Sequence, residues 1–349
     1  MTSAYKRVLV LGANGFIGSS LVLRLLNENK YFVSGVDKAD YNLLRAKKNE
    51  RFSFYKFDVL KEQSSIEELV KDSDIVVPLI AIAVPSMYTK NPLVVYNLDY
   101  EHNAYVIKMC ARYNKRIVFP STSEVYGMCD DEAFDEFSSQ LVLGSIAKER
   151  WIYSCIKQML DRLIWAYGKH EGLQFTIFRP FNFIGPKLDN IHADKEGASR
   201  VITQFTHNIL NSKSIKLVGG GLQKRCFTFI DDGIDCLSKI IDNKDGCANS
   251  QIFNIGNPNE EYSIKELAEI LINTFKEYPK YAQLAEKVQI ECIEADKYYG
   301  EGYEDVAYRM PSIKNAQSRL GWIPKTDLHT SIRCILDYHL CDKDYEIGV

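Results

Sequence analysis

The sequence predicts an α/β fold, a doubly wound parallel sheet followed by a smaller α/β unit. Three observations carry this. Short β-branched runs alternate with longer helical patterns through the first 180 residues. Those strand-like runs are apolar throughout instead of alternating with polar residues, the mark of strands buried on both faces of a parallel sheet. The first strand also breaks into Gly12, Gly15 and Gly18 where a strand should hand over to a helix.

Taken in order, RVLVL (7–11) reads as a buried strand and FIGSSLVLRLLNEN (16–29) as the helix after it. YFVSGVD (31–37) and RFSFYKFDV (51–59) are the next strands, followed by a short helix, SSIEELVKD (64–72). DIVVPLIAI (74–82) is another buried strand. NPLVVYNLDYEHNAYVIKMCARY (91–113) reads as one long helix with proline near its start, where the missing N–H costs nothing. KRIVFPST (115–122) is a strand, WIYSCIKQMLDRLIWAYGKH (151–170) a helix and LQFTIFRP (173–180) a strand.

Beyond Pro180 the chain turns loop-rich, then resumes with a helix at ITQFTHNILNS (202–212) and a strand, IKLVGGG (215–221), that ends in glycines. YSIKELAEILINTFKEY (262–278) is a helix with Ser263 as N-cap and Glu266 three residues on, a capping box. Short helices are expected near IKNAQSRLGW (313–322) and across LHTSIRCILDYHL (328–340). The expected division is a first domain over 1–180 and a second over 181–349, with segments such as 226–258 able to pack back on the first. A ligand would lie in the cleft between them, outside the carboxyl ends of the strands.

Composition narrows the function classes. The chain has 349 residues, 46% hydrophobic and 26% charged, ample for a sizeable core. A formal net charge of -3 gives no basic field to attract nucleic acid or an anionic membrane. No apolar run is long enough to span a bilayer. Nine cysteines without a Cys-x-x-Cys pair point to reduced thiols. MTSAYKR leads straight into a strand, so no signal peptide is expected and the location reads as cytoplasmic. The six histidines have no metal-ligand spacing, and no metal is expected.

The glycines, with Phe16 and Ile17 among them, follow a strand and open a helix, and Asp37 ends the next strand. A plain structural turn would explain the glycines alone equally well. Together with Asp37 they predict a dinucleotide site, the pyrophosphate on the helix N-terminus and the ribose hydroxyls on the carboxylate. A carboxylate there repels a 2′-phosphate, which favours NAD over NADP. Asp58, in FDV (57–59), lies near the adenine or simply faces water.

Tyr153 and Lys157 are four apart on one helix and share a face. The ammonium is expected to lower the phenol's pKa and make it a usable base. Thr122, in PSTSEVYG (120–127), is placed to hold an alcohol. Such parts remove a proton from a hydroxyl while a hydride passes to nicotinamide.

These motifs resemble the extended short-chain dehydrogenases/reductases, the NAD-dependent epimerase/dehydratase family, that act on nucleotide sugars. Within it they are most similar to UDP-glucuronate decarboxylases, as in the decarboxylase half of bifunctional polymyxin-resistance enzymes. The likeness runs nearly end to end, through GANGFIG, RIVFPSTSEVYGMC, RWIYS, KQMLDRLIWAYG, RPFN, QKRCFT, NIGNP and YYGEGYEDV. The formyltransferase half of such enzymes has no counterpart.

The resemblance implies a Rossmann fold with NAD contacted by Asp37, Asp58 and Val59. It places Ala83, Tyr88, Thr122 and Ser123 along the sugar. Arg150, Asn182, Lys216, Gln223, Arg225 and Tyr303 would bind the UDP-sugar, and Glu124 with Arg309 would serve the decarboxylation. The implied reaction oxidises UDP-glucuronic acid at C4 and releases CO2, giving UDP-4-keto-pentose and NADH; returning the hydride would give UDP-xylose instead.

Competing enzymes differ at specific positions. A 4,6-dehydratase would carry aspartate where Ser123 stands, and an apiose synthase cysteines where Val84 and Ser123 stand. A C4 epimerase needs no Glu124–Arg309 pair. A non-catalytic NAD-binding regulator has no reason to keep Thr122, Tyr153 and Lys157. A homodimer through the 91–113 and 151–170 helices is expected, as in related proteins.

Overall fold

Alternation of apolar strands with amphipathic helices builds the first layer. In the computed structural model, which describes residues 5–192, 199–301 and 303–341, the order begins β1 (Lys6–Leu11), α1 (Phe16–Asn27), β2 (Tyr31–Asp37), β3 (Phe52–Lys56), α2 (Gln63–Asp72) and β4 (Ile75–Pro78). It continues α3 (Pro85–Lys90), α4 (Pro92–Val95), a π-helical stretch (Tyr96–His102), α5 (Asn103–Arg112), β5 (Arg116–Pro120), α6 (Trp151–Glu171) and β6 (Phe175–Pro180). Then come β7 (Phe183–Ile184), α7 (Val201–Leu210), β8 (Ile215–Val218), β9 (Lys224–Cys226), β10 (Thr228–Phe229), α8 (Ile230–Asp242) and β11 (Gln251–Ile255). The last part holds β12 (Glu261–Ser263), α9 (Ile264–Lys276), α10 (Ala282–Lys287), β13 (Ile290–Ile293), α11 (Ala295–Tyr299), α12 (Lys314–Leu320) and α13 (Leu328–Leu340). The start of MTSAYKR, 193–198 of the loop-rich segment and Gly302 of YYGEGYEDV lie outside the described residues, as do 342–349.

The sheet has seven strands in the order β11-β6-β5-β4-β1-β2-β3, every neighbouring pair parallel. This is the expected doubly wound Rossmann architecture. One face packs Leu21 and Leu25 of α1 against Ile234 and Leu237 of α8, with Trp322 closing the edge. The other packs Val106 and Ile107 of α5 against Leu160 and Ile164 of α6. Fully burying each such side chain contributes about 1.5–3 kcal/mol. A third core, with Phe205, Leu217, Leu271, Phe275 and Ile332, joins α7, β8, α9 and α13. The Ser263–Glu266 capping box opens α9 as the spacing predicts. Among the described residues no helix is long and apolar enough to cross a membrane.

Two elements within the 226–258 segment, α8 and β11, not assigned as helix and strand from the sequence, join the first layer. β11 extends the sheet beyond β6, and Arg116 of β5 reaches the last carbonyls of α8, Ile240 O at 2.8 Å and Ile241 O at 3.1 Å.

The expected 91–113 helix runs without a gap over 92–112, but its middle is a π-helical stretch. After α4 the backbone widens into the π stretch, and Asp99, His102 and Asn103 turn into the interior. The Asn103 amide donates to Asp99 O (2.9 Å) and to Ile80 O (3.1 Å), while Asp99 Oδ1 accepts the Ile82 N–H at 2.9 Å. The extra residue per turn exchanges regular helix bonds for a grip on the segment that leaves β4.

Candidate active site

The glycine turn separates two requirements. Gly12 has φ +80°, and a Cβ there would lie 2.6 Å from Leu79 O. A Cβ on Gly18 would lie 2.2 Å from Gly12 O. Both glycines are therefore demanded by the chain's own packing. Gly15 is held far less strictly: its Cβ would meet Gly12 O alone, at a tight 3.2 Å. The side chain missing there opens a cradle before the N-terminus of α1, where Phe16 and Ile17 start the helix. Asp37 ends β2 and accepts the Asn14 N–H at 3.0 Å and the Ala39 N–H at 3.2 Å, so turn and carboxylate form one unit. Asp58, following β3, pairs with Lys38 at 3.0 Å, and Val59 beside it is buried. Cradle, helix end and carboxylate fit a dinucleotide.

At the carboxyl end of β5, Thr122 caps a short 3-10 turn, Ser123–Tyr126, its hydroxyl accepting the Glu124 N–H at 3.2 Å. The same hydroxyl lies near enough to the Tyr153 phenol to favour its ionised form. Tyr153 lies on α6, and the Tyr88 ring stacks on it at 4.7 Å and 5° between planes. One turn on, Lys157 donates to Pro120 O at 2.7 Å, its Nζ 5.9 Å from the Tyr153 ring centre. Burial pushes the Tyr153 phenol well up, the charges of Asp99 and Glu124 add to that, and the Thr122 hydroxyl opposes them. Burial likewise pushes Lys157 down, against the attraction of Asp99 and Asp161. In this arrangement desolvation dominates both groups.

Glu124 is gripped from two sides. Arg150 Nη2 lies 2.5 Å from its Oε2 and Arg309 Nη1 2.6 Å from its Oε1. Burial raises its pKa, but Arg150 and Arg309 outweigh that and hold the carboxyl down to about 2. Arg150 stands over the rings of Trp151 and Tyr303, at 4.5 and 5.3 Å. Arg309 arrives on a strap pinned to a loop near β5: Phe134 N donates to Met310 O (2.7 Å) and Ser312 N to Phe134 O (2.9 Å).

A cleft of roughly 190 Å³ opens in front, lined among others by Glu124, Asn182, Lys216, Gln223, Arg225, Tyr303 and Arg309. The structure thus gathers these expected residues at one place. Arg225 is already engaged by Asp305 at 2.5 Å. Arg150, Thr122, Ser123 and Tyr88 stand behind the cleft, and Ala83 lies exposed on the segment leaving β4. Sequence reasoning missed Tyr299, whose ring stacks on Tyr303 at 4.1 Å. The tyrosine-rich YYGEGYEDV was the available signal. It also missed Asp99, which no motif marks.

Residues 8–256 match the family model described as NAD dependent epimerase/dehydratase family. The chain is similar to the crystal structure of PbgP3 protein from Burkholderia pseudomallei, with 45% identity over 97% of this chain and 98% of that one, and a TM-score of 0.87. It shares its fold with UDP-glucuronic acid 4-epimerase from Bacillus cereus, solved with UDP-glucuronic acid and NAD (23% identity, 95% and 98% covered, TM-score 0.80). The same holds for dTDP-glucose 4,6-dehydratase from Bacillus anthracis in complex with NAD (20% identity, 97% of each chain, TM-score 0.76).

Proposed function

The chain belongs to the NAD dependent epimerase/dehydratase family, with NAD as its cofactor, and we propose that it oxidises and decarboxylates UDP-glucuronate, giving UDP-4-keto-pentose, CO2 and NADH. The observation that supports this most is the Glu124 carboxylate held between Arg150 and Arg309 beside Thr122 and Tyr153.

The cradle at Gly15 would take the pyrophosphate, Asp37 the adenosine ribose, and Asp58 with Val59 the adenine side. NAD supplies the acceptor for the hydride that leaves C4. Tyr153 takes the C4 hydroxyl proton, with Thr122 holding the alcohol in line. The resulting ketone stands β to the C6 carboxylate, so the C5–C6 bond can break with its electron pair passing into an enolate. Arg309 is the cation for that developing charge. Substrate carboxylate and Glu124 compete for the same guanidiniums. As Arg309 turns to the substrate, Glu124 loses part of what holds its proton affinity low, and it can then relay a proton to C5. Arg150, Asn182, Lys216, Gln223, Arg225 and Tyr303 are assigned to the UDP-sugar.

A homodimer through the 91–113 and 151–170 helices belongs to the same reading, since Leu93 and Val94 of α4 and Met159 of α6 are exposed. So does a reducing, cytoplasmic setting, since no disulfide joins the cysteines among the described residues.

Incubation with NAD and UDP-glucuronate, with the product identified by NMR, tests the proposal. A UDP-4-keto-pentose with stoichiometric CO2 and NADH is expected. UDP-xylose without net NADH would mean that the hydride is returned, and a product that keeps C6 would overturn decarboxylation.

A further inference from the structure

One contact at Tyr153 has no part in the roles assigned so far: the ring of Tyr88 lies flat against it. The ring centres are 4.7 Å apart and the planes differ by 5°, the offset-stacked arrangement that aromatic pairs favour. The resemblance lays Tyr88 along the sugar. In the structure it is 2% exposed and stands behind the cleft, while Pro85, at the start of the same helix, lines the cleft itself.

The short helix α3 holds this ring in place. Met87 N donates to Val84 O and Asn91 N to Met87 O, each at 2.9 Å, so the backbone is closed on both sides of Tyr88. The Thr89 hydroxyl donates to Tyr299 O at 2.8 Å and ties α3 to α11. Tyr299 in turn stacks on Tyr303 at 4.1 Å, and both line the cleft.

A phenol oxygen sits at the end of two side-chain rotations, the second of them broad in energy. A general base must stay within hydrogen-bond reach of the proton it takes, and a small rotation of the ring removes it from that reach. A parallel ring in contact with the face of Tyr153 resists such a rotation. Burial pushes the Tyr88 phenol up, so the stacked partner stays uncharged and does not compete as a base.

We propose that Tyr88 is a positioning residue: its ring, stacked on Tyr153, keeps that phenol in line with the C4 hydroxyl, and its own hydroxyl does not read the sugar. This rests on Tyr153 as the base under the proposed function.

Tyr88→Leu fills much of the space without a flat face, and Tyr88→Phe keeps the face without the hydroxyl. NADH formation from UDP-glucuronate should be measured for both, with kcat counted per NAD-binding site and KM taken for the sugar. Tyr88→Leu should lose kcat by ~10²-fold, the scale of a misplaced reacting group, with KM little moved. Tyr88→Phe should recover kcat to within about threefold of the wild type, since the stack survives. A KM raised about tenfold or more in Tyr88→Phe would put the hydroxyl on the sugar. A Tyr88→Phe as slow as Tyr88→Leu would deny the ring its role. So would a Tyr88→Leu with wild-type kcat, or one whose loss vanishes when counted per NAD-binding site. Each of these results overturns the proposal.

Should Tyr88→Leu not fold, Tyr88→Phe decides alone, because a ring role and a hydroxyl role predict opposite results for it. Tyr153→Phe run in parallel keeps the outcomes apart. Its retaining wild-type turnover would remove the underlying reading, whereas an inactive Tyr153→Phe beside a fully active Tyr88→Leu would remove this inference alone.

Discussion

Glu124 and Arg309 meet at 2.6 Å, although more than half of the chain lies between them. The Glu124 carboxyl, at about 2 against an ordinary 4.5, binds its proton more weakly folded than unfolded. It therefore contributes stability above pH 4.5 that is lost as pH falls toward 2, and Glu124→Gln should flatten acid unfolding in that window. In single-turnover assays Arg309→Ala should release CO2 at least ~10²-fold more slowly, the scale expected for one lost transition-state partner. Glu124→Gln should behave similarly, and normal CO2 release from both variants would place the decarboxylating groups elsewhere. The Tyr153–Lys157 pair is legible in sequence because helical spacing is local. Arg309 was reached only through resemblance, since no local pattern tells a guanidinium which distant carboxylate it will meet. Asp99 was not legible at all, because one aspartate in a helical run reads as a solvated face.

At the scale of elements, the 91–113 helix shows how a π turn hides. Its apolar periodicity survives on both sides, and one extra residue per turn leaves no mark in composition. The glycine turn was legible, but its division of labour was not, because that depends on how closely α1 approaches the Gly12 carbonyl. Gly18→Ala should destabilise the protein, since its Cβ would fall 2.2 Å from backbone. Gly15→Ala, with its single contact at 3.2 Å, should unfold near the wild-type denaturant concentration yet bind NAD at least about tenfold more weakly. Chemical denaturation and NAD titration read the two effects separately. Equal NAD affinity in Gly15→Ala would detach the cradle from the cofactor.

At the scale of the whole molecule, the sheet was legible from its strands, while its outer edge was not. β11 follows a loop-rich stretch and carries Asn254, a polar residue in a buried strand. That asparagine binds three parts of the fold. Its amide donates to Phe134 O at 2.8 Å and Ser312 O at 3.2 Å, and its oxygen accepts from the Tyr126 hydroxyl at 2.8 Å. Strap, loop and sheet thus share one side chain, and through the strap it helps to set Arg309. Asn254→Ala would leave Ser312 O and the Tyr126 O–H proton without this partner, while Phe134 O keeps the Ser312 N–H, and should cost about 3 kcal/mol in urea unfolding. A loss below about 1 kcal/mol would show that the strap is held by its backbone bonds alone. We propose residue 180 as the boundary between cofactor and sugar domains, though α8 and β11 lie beyond it and complete the first layer.

The place of β11 also has a meaning in time. β6 ends at Pro180, but its outer neighbour is not finished until Ile255. At a ribosomal pace of about 5–20 residues per second, β6 waits roughly four to fifteen seconds after its own synthesis before its partner exists. For that interval the nascent chain offers an apolar strand with one ladder of N–H and C=O groups unanswered, the kind of template that invites pairing with another chain. Demand for chaperones should therefore peak in the middle of translation, set by the order in which the strands are made and independent of how stable the finished protein is.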